Sequence, residues 1–187
     1  LGWGFSVGAG FIKLEELEGA IQVAPNAEGR IGSQARDQLV ADYAPVVGLH
    51  WQGPAGVLAG LSYRKASIAD FRLPIDVQLG DGFPLPVPQL NVVGTAQFDP
   101  TSVSGEVSGP ICPLRLAVGA TWKQWSAYPN PIAYTSPPAD FPEQPAPGFD
   151  DTLLWRVGLE LAQSAGPVTL EPRLGAQFAP TPTPEQT

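Results

Sequence analysis

The chain has 187 residues, of which 15% are charged, against 21 glycines and 22 prolines. That much Gly and Pro excludes long helices, since each breaks a helix interior, and points to short extended segments joined by turns. A net charge of −8, with a pI near 4.5, argues against a phosphate-backbone partner, so no nucleic acid is expected.

The first segment, residues 3–11, sets Trp3, Phe5, Val7, Ala9 and Phe11 against Gly4, Ser6, Gly8 and Gly10. Residues 43–51 set Tyr43, Pro45, Val47, Leu49 and Trp51 against Ala44, Val46, Gly48 and His50. After a short turn at 52–56, residues 57–63 oppose Val57, Ala59, Leu61 and Tyr63 to Leu58, Gly60 and Ser62, with Arg64 following. Residues 89–109 read as one extended segment kinked at Pro100, and a tight turn at 110–112 leads into 114–122. There Leu114, Leu116, Val118, Ala120 and Trp122 oppose Arg115, Ala117, Gly119 and Thr121, with Lys123 following. The last two segments, 153–161 and 168–178, carry Trp155, Val157, Leu159, Leu170, Leu174 and Phe178 on one face. Arg156, Gly158, Glu160, Glu171, Arg173 and Gly175 occupy the other. Period-two alternation of this kind is the mark of a β-strand with two unlike faces.

Two architectures suit such strands. In a soluble sandwich the apolar face is a core, and in an outer-membrane barrel it meets lipid. The second face here is Gly, Ala and Ser with isolated charges, which suits a crowded barrel interior better than a water-facing sheet, where Gly weakens a strand without packing anything. No apolar run reaches the ~18 residues of a spanning helix, while a spanning strand needs only about 9–11. Connections at 15–41, 74–88 and 126–150 read as long loops, and those at 52–56, 110–112 and 163–166 as short turns. Their alternation matches long extracellular loops and short periplasmic turns. Trp3 and Trp51 then fall near the periplasmic ends of their strands. Tyr43, Tyr63, Trp122, Trp155 and Phe178 fall near the extracellular ends, as in two interfacial aromatic girdles.

Three runs carry a family resemblance. YAPVVGLHWQGPAGVLAGLSYRKASIADF holds Gly60, Leu61, Ser62, Tyr63 and Arg64, and PLRLAVGATWKQWSAY ends on Trp125 and Ser126. DDTLLWRVGLELAQSAGPVTLEPRLGAQFAPTPTPEQT holds Asp151, Thr152, Arg156, Gly158 and Glu160, then a Pro-rich exit from Pro180 to Thr187. Taken in order they are spread from residue 43 to residue 187, and the chain resembles the FadL-type outer-membrane transporters of long-chain fatty acids and aromatic hydrocarbons. The resemblance implies an all-β, antiparallel up-and-down transmembrane barrel, a monomer, and passive uptake of hydrophobic small molecules. Family barrels have fourteen strands and an N-terminal hatch. Residues 1–187 supply about seven strands in one domain, no hatch and no initiator Met, so an internal fragment of a longer barrel is expected.

Within that frame Lys123 and Arg156 face the lumen near the extracellular end, where they could pair with a fatty-acid carboxylate. Neutralising interior carboxylates is the plainer role for both. A tight turn at 110–112 places Glu106 opposite Arg115. A turn at 163–166 places Arg156 opposite Arg173, and gathers Arg156, Glu160, Glu171 and Arg173 into one interior ionic cluster. No catalytic residues, metal or cofactor are expected. His50 reads as a hydrogen-bonded interior residue, Asp150 and Asp151 as turn carboxylates, and Cys112 as a turn residue between Pro110 and Pro113. A general porin or structural barrel, and a soluble β-sandwich binding module, stay open as alternatives.

Overall fold

A computed structural model describes residues 3–25, 30–77, 90–111, 113–134, 145–161, 163–165 and 168–184. It contains β1 (Gly4–Pro25), β2 (Ile31–Gln52), β3 (Leu58–Arg64), β4 (Ser67–Val77), β5 (Leu90–Asp99) and β6 (Ser102–Ile111). These are followed by β7 (Leu114–Lys123), β8 (Ile132–Tyr134), β9 (Thr152–Leu161), β10 (Gln163–Ala165), β11 (Val168–Leu170) and β12 (Arg173–Phe178). The described residues form no α-helix, only single 3₁₀ turns at Pro54–Gly56 and Trp125–Ala127.

Ten strands make one open sheet in the order β12-β9-β7-β6-β3-β2-β1-β4-β5-β8, and β10 pairs with β11 separately. Every pairing is antiparallel except β1 with β4. The chain is therefore all-β with an antiparallel-dominated sheet, and the sheet does not close on itself.

Its short turns follow from local chemistry. Between β2 and β3, Ala55 and Gly56 both take left-handed backbone angles, φ 55° and 77°, and Gly53 N–H donates to Val57 O at 2.8 Å. The Trp51 indole lies over Gly53, where a Cβ would collide with the ring. Between β6 and β7 the ladder is zipped to Ile111 opposite Leu114.

β3–β4 and β5–β6 form one long hairpin bent at a corner. Arg64 faces Ser102 on one side of the bend, Ser67 faces Asp99 on the other, and the register continues through it. Lys65, Ala66, Pro100 and Thr101 make the corner, with Pro100 fully buried. The Arg64 guanidinium pairs with the Asp99 carboxylate, Ala66 N–H donates to Thr101 Oγ1 at 3.2 Å, and Lys65 N–H donates to Pro45 O at 3.1 Å. The sequence-based kink at Pro100 is thus a corner shared by two chain segments. Past it β4 leaves β2 and runs parallel to the distal half of β1, with Leu17 opposite Phe71 and Val23 opposite Val77. The few buried side chains, among them Ala44, Ser67 and Ala69, lie within a few residues of this corner or of Pro45.

Three expectations are corrected. Residues 15–41, read as a loop, are mostly strand: β1 and β2 are each 22 residues long and pair in unbroken register from Gly4–Gln52 to Pro25–Ile31. Gly and charged residues there diluted the alternation, but pairing along the full hairpin satisfies their backbone groups. The described part of 126–150 holds β8 and irregular chain, while residues 135–144, and residues 78–89 with most of the 74–88 connection, lie outside the described residues. The β9–β12 turn is also shorter than expected. Ala165 faces Val168 and Arg173 faces Glu160, so every pairing shifts by four residues, and residues 166–167 lie outside the described residues. Cys112 lies outside the described residues.

One face of the sheet carries the large apolar side chains, and among the described residues no second sheet packs against it. Trp51, Leu61, Val118, Val157 and Leu174 are 39%, 49%, 43%, 45% and 73% exposed, so no second layer of a sandwich covers them. Rows of these residues run straight across the strands: Phe5–Trp51–Ala59–Val107–Val118–Val157–Ala176 is one. Tyr63–Val103–Trp122–Leu153 is another, farther from the short turns.

Candidate functional site: a glycine-floored groove

The opposite face is built from the other parity of the same strands. At its centre one row reads Gln177–Arg156–Gly119–Glu106–Gly60–His50–Ser6, from β12 to β1. The next row reads Leu154–Thr121–Ser104–Ser62–Gly48–Gly8. Long polar side chains therefore alternate with glycines, and the missing Cβ atoms leave a groove of about 690 Å³ lined by Ser62, Ser104, Glu106, His50 and Arg156. Gly119 is closely packed between its neighbours: a Cβ there would sit 3.2 Å from Gly105 O and 3.5 Å from Glu106 Cβ and Cγ.

Arg156 donates to Thr121 Oγ1 at 3.0 Å, and Thr121 in turn lies 2.9 Å from Ser104 Oγ. A guanidinium has five N–H donors, so most of those on Arg156 are not committed to Thr121. Neither Arg156 nor Glu106 makes an ion pair with a described residue.

The expected ionic cluster forms in part. Arg173 Nε lies 2.9 Å from Glu160 Oε2, and its Nη2 lies 3.2 Å from Glu171 Oε2. Arg156 is not a member, because the shifted register sets Gln177, not Arg173, across from it. Glu106 likewise faces Gly119 instead of Arg115. Arg115 instead donates to Gly56 O at 3.2 Å and Ser108 Oγ at 3.3 Å, at the short-turn end. Lys123 faces Ser102 and Thr152 at the far end of β7, two residues beyond Thr121. Both register errors have one cause. A hairpin tip displaced by two residues moves every partner by four but leaves each side chain on its face.

Sequence reasoning missed the pairing of Arg156 with Thr121 and the seat of Glu106 beside it. Asp151 caps a turn, accepting the Ser126 N–H at 3.0 Å, as expected of a turn carboxylate. Trp125, Phe98, Tyr128 and Phe149 form a chain of rings, tilted at 6.0 Å between centroids for Trp125–Phe98 and edge-on at 5.2 and 5.0 Å for Phe98–Tyr128 and Tyr128–Phe149. Among the described residues no group of three metal-ligating side chains comes together. Comparison with known proteins gives no match to a family model, to a curated protein or to a solved structure.

Proposed function

We propose that this sheet is wall of a bacterial outer-membrane β-barrel that takes up hydrophobic compounds such as long-chain fatty acids or aromatic hydrocarbons. One observation carries the membrane reading: an uncovered apolar face crosses seven consecutive antiparallel strands, while the same strands turn glycine, hydroxyl and isolated charge to the other side. Water would penalise that face by roughly 25 cal/mol for every Å² of apolar surface, and lipid removes the penalty. From Trp51 to Tyr43, β2 covers about 27 Å of strand, which at a tilt of about 40° rises roughly 21 Å, most of an apolar band on the order of 25 Å tall. The distal half of the β1–β2 hairpin, with Glu15, Arg36, Asp37 and Asp42, then stands outside the bilayer. The substrate class rests on the FadL-type resemblance.

The groove's polar lining favours a second reading, a general porin. Reconstitution separates the two. The natural protein in lipid vesicles is expected to accelerate entry of a labelled fatty acid or toluene while conducting ions poorly. Large ion conductance with no acceleration would make it a porin, and a protein that stays in solution without detergent would be neither.

A further inference from the structure

Glu106 and Arg156 flank Gly119 from opposite sides, one strand away each, and both line the same groove. Their Cα atoms are two strand spacings apart, about 10 Å. The Arg156 guanidinium is turned toward Thr121, two residues along β7 from Gly119, and the Glu106 side chain leans over Gly119. An acid and a base on one face would normally close into an ion pair, yet no such pair forms here. Both side chains border one groove, which runs on over Gly60 and Gly48. It offers hydrogen-bond donors from Arg156 and a carboxylate acceptor from Glu106, with the hydroxyls of Ser104 and Ser62 beside them.

We propose that the groove binds organic acids bearing a hydrogen-bond donor at their far end: the ligand's carboxylate sits on Arg156 and its distal hydroxyl donates to Glu106. Resting on the uptake reading above for its setting, this names a polar subclass of cargo. A plain fatty acid or hydrocarbon leaves the Glu106 carboxylate unanswered. A site built for a donor rejects the analogue lacking it more strongly than an apolar pocket rejects a missing methylene. The groove's volume, about 690 Å³, accommodates an aromatic hydroxy acid lying along the row.

Equilibrium dialysis on the full chain in detergent tests this, with 4-hydroxybenzoate, benzoate, phenol and toluene as probes. A hydrogen bond to a charged group supports a preference of about tenfold or more for 4-hydroxybenzoate over benzoate. Glu106→Gln is expected to shrink that preference severalfold, because an amide oxygen accepts more weakly than a carboxylate, and not to weaken benzoate. Arg156→Gln is expected to bring 4-hydroxybenzoate down to the level of phenol. Both side chains are exposed, Glu106→Gln keeps the side chain's shape and Arg156→Gln only shortens it, so the strands survive, as an unchanged circular-dichroism spectrum checks. Equal affinity for benzoate and 4-hydroxybenzoate, or a Glu106→Gln variant that weakens both alike, overturns the proposal. Toluene uptake into vesicles without the preference sinks this inference alone. The preference in a protein that never enters membranes sinks the transport reading alone.

Discussion

Arg156 sits between Gly119 and Gln177, with no carboxylate directly across from it on either neighbouring strand. Charge reversal, Arg156→Glu, is therefore expected to reduce vesicle uptake of a fatty acid more than uptake of a neutral aromatic hydrocarbon. Equal losses would make the residue structural. Gly56 illustrates the opposite case, a residue fixed by its backbone. At φ 77° an L side chain is strained, so Gly56→Ala should lower stability by about 1–2 kcal/mol in urea unfolding. Ala55 already bears that strain at φ 55°, and Ala55→Gly should be neutral or stabilising by up to about 1 kcal/mol, since relief of strain is partly offset by chain entropy. A clear loss at Ala55→Gly would show that the turn is not left-handed there.

The corner between the two halves of the long hairpin depends on few contacts, so each should be felt. Thr101 both receives Ala66 N–H on its hydroxyl and lends its carbonyl to Gln124 N–H at 2.9 Å. Thr101→Val removes the first bond and leaves a part-buried N–H unanswered, which should cost about 1–2 kcal/mol. The Arg173 cluster behaves differently. Its guanidinium is 67% exposed, so a double-mutant cycle on Arg173 and Glu160 should give a coupling below about 1 kcal/mol that fades with salt. A larger, salt-insensitive coupling would mean that the cluster is shielded by something beyond the described strands.

Across the whole molecule, the apolar face separates the membrane reading from any soluble one. Val118→Arg places a cation at the middle of that face, and in a bilayer it should destabilise by about 2–4 kcal/mol. The same change on a water-facing sheet would stay within about 0.5 kcal/mol. Strand direction adds a constraint. From β1 through β2, β3, β6, β7 and β9 to β12 directions alternate, so β1 and β12 run the same way and antiparallel closure takes an odd number of further strands. Cysteines placed at Val7 and Ala176, with Cys112 replaced, should then form no disulfide within one copy or between two. A disulfide would show the two edges in direct contact.

Which side chain faces which way was legible in the chain alone. Alternation is a local property of extended backbone, so Leu61, Val118 and Val157 could be assigned to the exposed face, and Glu106, Arg156 and Arg173 to the other, from parity. Pro100 announced the corner because proline cannot donate to a ladder. Partners across strands were not legible. An even slip of register keeps every residue on its proper face, so burial and polarity barely distinguish Arg173 from Gln177 as the partner of Arg156, and backbone pairing chose between them. The distal β1–β2 pairing, the parallel seat of β4 beside β1, the separation of Arg156 from Arg173 and the placing of Arg156 and Glu106 on either side of Gly119 all involve residues far apart in sequence. Those contacts form only when strands dock, and tertiary structure alone decided them.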